Sequence, residues 1–543
     1  MSLEKYTGTW STQTAAHLLR RASVFPTRQE VKTYLDLGSV DAAVDQLLGQ
    51  MGQSTPTHPA PPLDPSGNDM GLDQVYTVDQ DSPPPTSNDK RREYVISWWV
   101  RRMLDPNIQQ TVIEKITLWL HVHFTTIISN NGMAFPFLYH QNKLYRSCAF
   151  GQYNLKEFSV RMSKDAAMLL FLDGGLNTKT RVNENFGREL LELYTIGKGP
   201  QIAEGDYTTY TEDDVITAAR VLTGFRHTYL EPTERGALPP FTEFRDGVHD
   251  TNNKTFSDKF NNQTITGRSG ADGINELDDM IDMIFSQSAT ATYLCRSLYR
   301  FFVYPKISES VEQNIIPQMA SVMTANNFAL KPVLDNLLKS AHFYEVASSV
   351  GAIIKSPVDF IIGTVRHFGQ NLGAANTFEN YSFINKLRRY CEEIQQKLYD
   401  PPEVAGWKAY HQSPIYHEDW ITTLTLPLRF CYSDELSKGV SVQIFDNTNT
   451  ETGTQTLKLD AVTYIQNGVT NGNITNVTNA ATLVQELCDY LFPVKLSSEQ
   501  LTALSSALGS DWGTVWQNDQ ATAATRLETM LVTLFRLEEY HLY

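Results

Sequence analysis

The chain has 543 residues, 41% of them apolar and 11% aromatic, which supplies a large core and excludes a globally disordered chain. A formal net charge of −16, from 61 acids against 45 lysines and arginines, sets the surface against nucleic-acid phosphates and anionic lipid. No run reaches the ~18 apolar residues of a membrane-spanning helix, and the five scattered cysteines (Cys148, Cys295, Cys391, Cys431 and Cys488) contain no Cys-x-x-Cys pair, so zinc-ribbon and thioredoxin-like motifs are excluded and buried free thiols are expected.

The first 22 residues show no apolar h-region and no small-residue cleavage site. The compartment they point to is the cytoplasm, or an exported setting if a signal has been removed. Residues 12–50 read as short helices. "TQTAAHLLRRA" gathers Ala16, Leu19 and Ala22 near one face, and "PTRQEVKTYLDLG" opens on proline and stops at Gly38. Residues 54–89 are rich in Pro, Ser, Asp and Gly and read as a long loop wrapped over the body.

Helices dominate from about residue 90 to 230. "KRREYVISWWVRRML" carries an aromatic and aliphatic stripe, and "NIQQTVIEKITLWLHVHFTT" repeats Ile113, Ile116, Leu120 and Phe124 at helical spacing. "YTEDDVITAARVLTGF" begins with a Thr211-x-x-Asp214 capping box. Residues 228–270 are polar and turn-rich, with short strands expected around "FTEFRDGVHD" and "NKTFSDKF". Helices resume at 274–350, and Pro357 opens another. The Thr/Asn-rich stretch 440–480 reads as a small β excursion or surface insertion, and 481–543 returns to helices. The expected fold is mainly α, a large multi-helical body with irregular loops and a small β excursion in the C-terminal third. Its expected parts are a helical domain over 1–435, an insertion over 436–480, and helices over 481–543 packed on the body.

The segments "AAHLLRRASVFPT", "LWLHVHFTT", "DAAMLLFLD", "NENFGRELLELYTIG", "YTEDDVITAARVLTGF", "HD…KTF", "IKSPVDFIIGTVR" and "DPPEVAGWKAY" occur in that order. Together they resemble the bacterial DUF1800 family over roughly residues 12–430. The chain departs from the family's habit at Phe225, where tryptophan is common, and at Asp173-Gly174, where Asp-Asn is common. The resemblance implies a mostly helical protein, often exported and often encoded beside DUF1501 proteins, which look like the alkaline phosphatase and sulfatase fold. It implies no reaction and carries over no catalytic residue, so function rests on side-chain chemistry.

The densest polar stretch is "RVNENFGRELLELYTIGKG", residues 181–199. On a regular helix Glu184, Arg188 and Glu192 share a face at i, i+4 and i+8, which makes an ion-pair ladder capped by Asn183 or Asn185 and stopped at Gly197. The alternative turns Glu184, Arg188, Glu189 and Glu192 into a helical bundle as a catalytic set, where inward glutamates also hold metals. In "HVHF", His121 and His123 point about 200° apart on a helix and could share one metal only where the helix ends, which "TTIISNNG" suggests. His249 and Asp250 would complete the ligands, with Glu189 or Asp173 as further candidates, although "HD" with Lys254 equally reads as turn chemistry. "DPPEVAGW" makes a rigid turn whose Trp407 packs on the core or stacks on a sugar, with His411, His417 and Trp420 following.

The chain holds no GxGxxG opening a helix after a strand, no GxxxxGK[ST], no GxSxG and no HExxH, so the familiar cofactor and hydrolase motifs are excluded. Two readings stand. One is a hydrolase with a His/Glu site around a divalent metal, a glutamate as general base and Arg188 steadying an anionic group. The other is a non-catalytic binding or assembly partner, for example of a DUF1501-type protein, which the abundant Tyr and Phe suit.

Overall fold

The computed structural model describes residues 3–53, 55–72, 88–129, 132–228, 238–345, 349–407, 418–446 and 450–543. The architecture is mainly helical, with four separate two-stranded antiparallel sheets among the described residues. Residues 54 and 73–87 of the Pro-rich 54–89 stretch, together with His411 and His417, lie outside the described residues.

Helix starts follow side-chain caps. Ser11 with Thr14, Thr27 with Glu30, Asn154 with Glu157, Thr211 with Asp214 and Ser497 with Gln500 form reciprocal capping boxes, each supplying acceptors to N–H groups that a helix start leaves free. The Thr211 box is the one its spacing predicts. The strands expected near 241–256 are present: Thr242–Phe244 pairs with Phe225–His227, and Lys254–Thr255 with Thr264–Ile265. In 440–480 the hairpin Val440–Phe445/Glu451–Leu457 is as expected, but Ala461–Thr470 is a helix. Asp460 caps it, and Ala461, Ile465 and Gly468 bury one face at helical spacing.

At the centre runs the Ile108–His123 helix, buried on every side along most of its length. Burying a helix all round forces its polar residues to find partners. Glu114 is gripped by the Arg146 guanidinium, with Nη2 at 2.6 Å, and Lys115 meets both Asp359 oxygens at 2.7 and 2.9 Å. These pairs fasten the central helix to Phe135–Ala149 and to the π-helical turn Val358–Ile362. The C-terminal helices close the body: Ala480–Leu491 lies against Thr12–Ala22, and Gln520–Phe535 against Ala461–Thr470 and Thr425–Lys438. The final residues thread back inward, where Lys355 N–H donates to His541 O at 2.7 Å and Tyr543 N–H to Ile353 O at 3.0 Å.

All five cysteines are free thiols. Four are buried as expected, and Cys431 is exposed. Among the described residues no helix is long and apolar enough to cross a membrane.

Candidate functional site

The signature stretch is not one regular helix. Asn183 Oδ1 accepts the Asn185 N–H at 3.0 Å, an α-helix runs Asn185–Glu189, and Leu190–Thr195 continues it as a π-helix. Gly197, at φ +77°, ends the run, with its N–H on Leu191 O at 2.9 Å. The i→i+5 bonding of a π turn adds a residue per turn, and such turns occur frequently at functional sites. Half of the expected ladder stands. Arg188 keeps the Glu184 rung at 3.5 Å and pairs more closely with Glu212 on the neighbouring Glu212–Val221 helix, at 2.7 and 2.9 Å, while the extra residue takes Glu192 off that face. Glu192 swings to the Tyr210 hydroxyl at 3.0 Å and Lys198 at 3.3 Å.

Glu189 is the part left over. It is partly buried, and its carboxylate has no hydrogen bond or ion pair to any described residue. Burial, then the negative charge of Glu192, push its carboxyl up to about 7 against the weaker pull of Arg188 and Lys198.

Gly187 sets where this helix sits. A Cβ there would lie 2.9 Å from Val215 O and 3.0 Å from Ala219 N, so glycine permits backbone-to-backbone contact with the Glu212–Val221 helix. Gly187→Ala is expected to lower stability by about 1–3 kcal/mol through overpacking, against the ~1 kcal/mol that alanine normally adds in a helix. Urea unfolding decides the sign, and a variant as stable as the parent would show that the crossing is loose.

The two histidines of "HVHF" diverge, as their spacing on one helix requires. His121 is fully buried among the rings of Trp99, Tyr145, Tyr399 and Trp407, and its Nε2 accepts the Tyr399 N–H at 3.0 Å. Burial pulls its pKa down to about 3. His123 ends the helix, stacked on Trp119. Its Nε2 lies 3.1 Å from Tyr194 O in the signature turn and its Nδ1 3.2 Å from Ser297 Oγ, which also accepts Trp119 Nε1–H at 3.1 Å. Burial lowers its pKa to about 4, opposed by the Tyr194 carbonyl.

His249 and Asp250 belong to a third neighbourhood. His249 Nδ1 lies 2.8 Å from Thr223 O and its Nε2 3.2 Å from Glu276 Oε1, while the other Glu276 oxygen takes the buried Lys254 ammonium at 2.5 Å. Asp250 binds Arg220 Nε at 2.7 Å and Asn252 N at 2.9 Å. Burial pushes Glu276 up, but hydrogen bonds from His249, Lys254 and Arg268 N outweigh it and hold the carboxyl below its ordinary range. Thus "HD" and Lys254 form a buried network rather than an open turn. Glu276 is the member that sequence reasoning missed. Its signal is a glutamate in line with the buried Met280 and Ile284 of the Glu276–Phe285 helix.

His121, His123, His249 and Asp250 therefore do not converge. Each has its own protein partners, and among the described residues no group of three or more His, Cys, Asp or Glu side chains is placed to hold a metal. Two sequence motifs do meet. The "DPPEVAGW" turn lies against the end of the "HVHF" helix, with Ile128 N–H on Tyr399 O at 2.9 Å and Ser129 N–H on Asp400 Oδ1 at 3.0 Å. Gly406, at φ +93°, brings the turn so close that a Cβ would sit 3.0 Å from Val122 O. Trp407 is buried at 5% exposure and packs on the His121 ring. It borders a cleft of about 470 Å³ edged also by Glu392, Lys397, Asp400, Glu403, Asp419 and Trp420.

No curated protein and no solved structure is a match to the chain. A family model described as "Protein of unknown function (DUF1800)" matches residues 17–542. That span contains the signature turn, both histidine motifs and the "DPPEVAGW" turn, and it runs on through the part beyond 435 that the motifs left out. The chain belongs to the DUF1800 family.

Proposed function

We propose that the protein is a hydrolase in which Glu189 is the proton-transfer residue. The observation that supports this is a partly buried carboxyl with no partner among the described residues, on a π-turned helix, poised at about 7. Such a group holds both protonation states at neutral pH. It can take a proton from an attacking water and return it to the leaving group. Glu192, fixed by Tyr210 and Lys198, keeps the Glu189 proton affinity high. Arg188 is held by Glu212 and Glu184, so it positions the helix and is not the anion clamp that its spacing suggests. The divalent metal enters no step, because the candidate ligands are apart.

The test is a panel of p-nitrophenyl esters, phosphate esters and glycosides across pH 5–9. One class is expected to turn over, with kcat changing around pH 7 and falling about 100-fold or more in Glu189→Gln while the fold is kept. No turnover in any class, or an unchanged kcat in Glu189→Gln, removes the reading.

The assembly reading has its own observation. Of the eight exposed large hydrophobic residues among the described ones, Leu176, Val182, Ile202 and Ile216 fall around the same stretch, where a partner would cover them. In the same assays, a DUF1501-type protein that binds the parent but not Leu176→Asp, with Glu189→Gln binding normally, would favour assembly over catalysis.

A further inference from the structure

The "HVHF" and "NENFGRELLELYTIG" segments meet at the carbonyl end of the π turn. In a regular α-helix the Leu193 and Tyr194 carbonyls would take the N–H groups of Gly197 and Lys198. Gly197 N–H turns back to Leu191 O at 2.9 Å instead. Both carbonyls are met by side chains, each from a different helix. The Tyr293 hydroxyl, from the Ser288–Phe302 helix, donates to Leu193 O at 2.9 Å. His123 Nε2, at the end of the Ile108–His123 helix, lies 3.1 Å from Tyr194 O.

The donor at Tyr194 is fixed by partners of its own. A carbonyl only accepts, so the neutral His123 ring carries its hydrogen on Nε2 and presents the Nδ1 lone pair to Ser297. Ser297 therefore donates its hydroxyl to Nδ1 at 3.2 Å, and its oxygen accepts Trp119 Nε1–H at 3.1 Å. Trp119 also stacks on the imidazole, with ring centroids 5.6 Å apart. The helical serines Ser159, Ser163 and Ser437 bond the carbonyl one turn back, whereas Ser297 turns to the ring. The Tyr194 hydroxyl reaches Thr125 O at 3.3 Å, just past His123, so Tyr194 is held by backbone and side chain together. A Cβ on Gly197 would collide with the Tyr293 ring, which sets how closely the end of the turn lies against that helix.

We propose that His123 and Tyr293 are positioning residues that hold the π register and so keep Glu189 in place for proton transfer, an inference that rests on the Glu189 reading above. Glu189 ends the α-helical part and Leu190 opens the π turn. With Leu193 O and Tyr194 O pinned from two other helices, the extra residue of the turn stays where it is. Released, the stretch would return to about 3.6 residues per turn, and Glu192 would swing back toward Arg188. A buried carbonyl without a donor is costly, so losing either side chain favours that relaxation. The second histidine of "HVHF" therefore serves the signature turn, while His121 serves the core.

Carbon-13 NMR of the full chain grown on carboxyl-labelled glutamate follows Glu189 directly, with the Glu189→Gln spectrum identifying its peak. The parent carboxyl is expected to titrate at about 7. In His123→Phe, and in Tyr293→Phe, which removes only a hydroxyl, the midpoint is expected to move down toward the ordinary glutamate range near about 4.3. Burial is the largest cause of the elevation and is what the opened turn relieves, while the charged neighbours Arg188, Glu192 and Lys198 are kept in every variant. His123→Gln, whose amide N–H can replace Nε2–H at Tyr194 O, is expected to hold the parent midpoint. For the substrate class that the parent turns over, kcat is expected to fall about 10- to 100-fold in His123→Phe with KM little changed. An ordinary Glu189 midpoint in the parent, a midpoint unmoved in both His123→Phe and Tyr293→Phe, or a His123→Gln protein that behaves as His123→Phe would each overturn the positioning role. An unchanged kcat in Glu189→Gln beside a midpoint that follows these substitutions would overturn the hydrolase reading and support the hold on Glu189.

Discussion

Glu276→Gln is expected to destabilise the protein by about 3–5 kcal/mol, the usual result of removing one partner of a buried ion pair. The residue is completely buried. Its two oxygens together receive the Lys254 ammonium and the Arg268 N–H and lie against His249. Glutamine has nearly the same volume, so no cavity is made. What changes is charge, because Lys254 is left in the core with no carboxylate. Lys254 is itself fully buried and donates to Asp250 O as well, so Glu276→Gln disturbs the Asp250 turn and, through Arg220, the end of the Glu212–Val221 helix. The double variant Glu276→Gln/Lys254→Met should recover part of the loss, because it removes the stranded charge. Urea unfolding at pH 7 measures all three. A single-variant loss below about 1 kcal/mol would mean that the pair is not buried as described.

That network also marks where sequence reasoning stops. Features governed by near neighbours are legible. The Thr211–Asp214 box, the helix end at His123 and the strands near 242 and 255 depend on residues within a few positions of one another. The signature stretch was legible in outline and wrong in detail, because the ladder Glu184–Arg188–Glu192 assumes 3.6 residues per turn. The π turn at Leu190–Thr195 shifts Glu192 off that face, and nothing in the leucine spacing announces it. The least legible contacts are long-range. His121 meets Tyr399 from 278 residues away, and His249 meets Glu276 by a helix face that composition marks only as amphipathic. A histidine beside a histidine invites a metal reading in one dimension. In three dimensions each ring is already used by a backbone group: His121 by the Tyr399 N–H, His123 by the Tyr194 carbonyl. Glu189 is the opposite case. It stands outside the Glu184–Arg188–Glu192 ladder in the sequence, and the fold leaves its carboxylate partly buried without a partner among the described residues.

The buried histidines give the second large effect, a loss of stability as pH falls from 7 to 5. Burial holds His121 at about 3. His123 is held by burial at about 4, against its carbonyl contact. His367 sits at about 3 through burial reinforced by Arg20, Arg28 and Lys355, and His541 at about 3 through burial, then Arg429 and Lys355. The unfolded chain protonates these rings below about 6.5, whereas the native state does not until roughly 3–4. Their contribution is therefore complete above pH 6.5 and is lost progressively below it, by about 2 kcal/mol per ring at pH 5 and about 8 kcal/mol for the four. Two carboxyls work the other way. Burial raises Asp165 to about 6, and burial with Glu192 raises Glu189 to about 7. Their cost at neutral pH is relieved on acidification, returning about 3–4 kcal/mol. The net expected loss by pH 5 is about 4 kcal/mol, a large share of the ~5–15 kcal/mol that holds a domain folded. Burial and Arg21 also lower His17, in the same direction as the four. Urea midpoints at pH 7, 6 and 5 should fall in that order, and His541→Phe should flatten the fall by about one ring's share. A midpoint that stays level or rises toward pH 5 would mean that these rings are protonated in the native protein. In that case the packing around His121 and His123 would have to open to admit the charge.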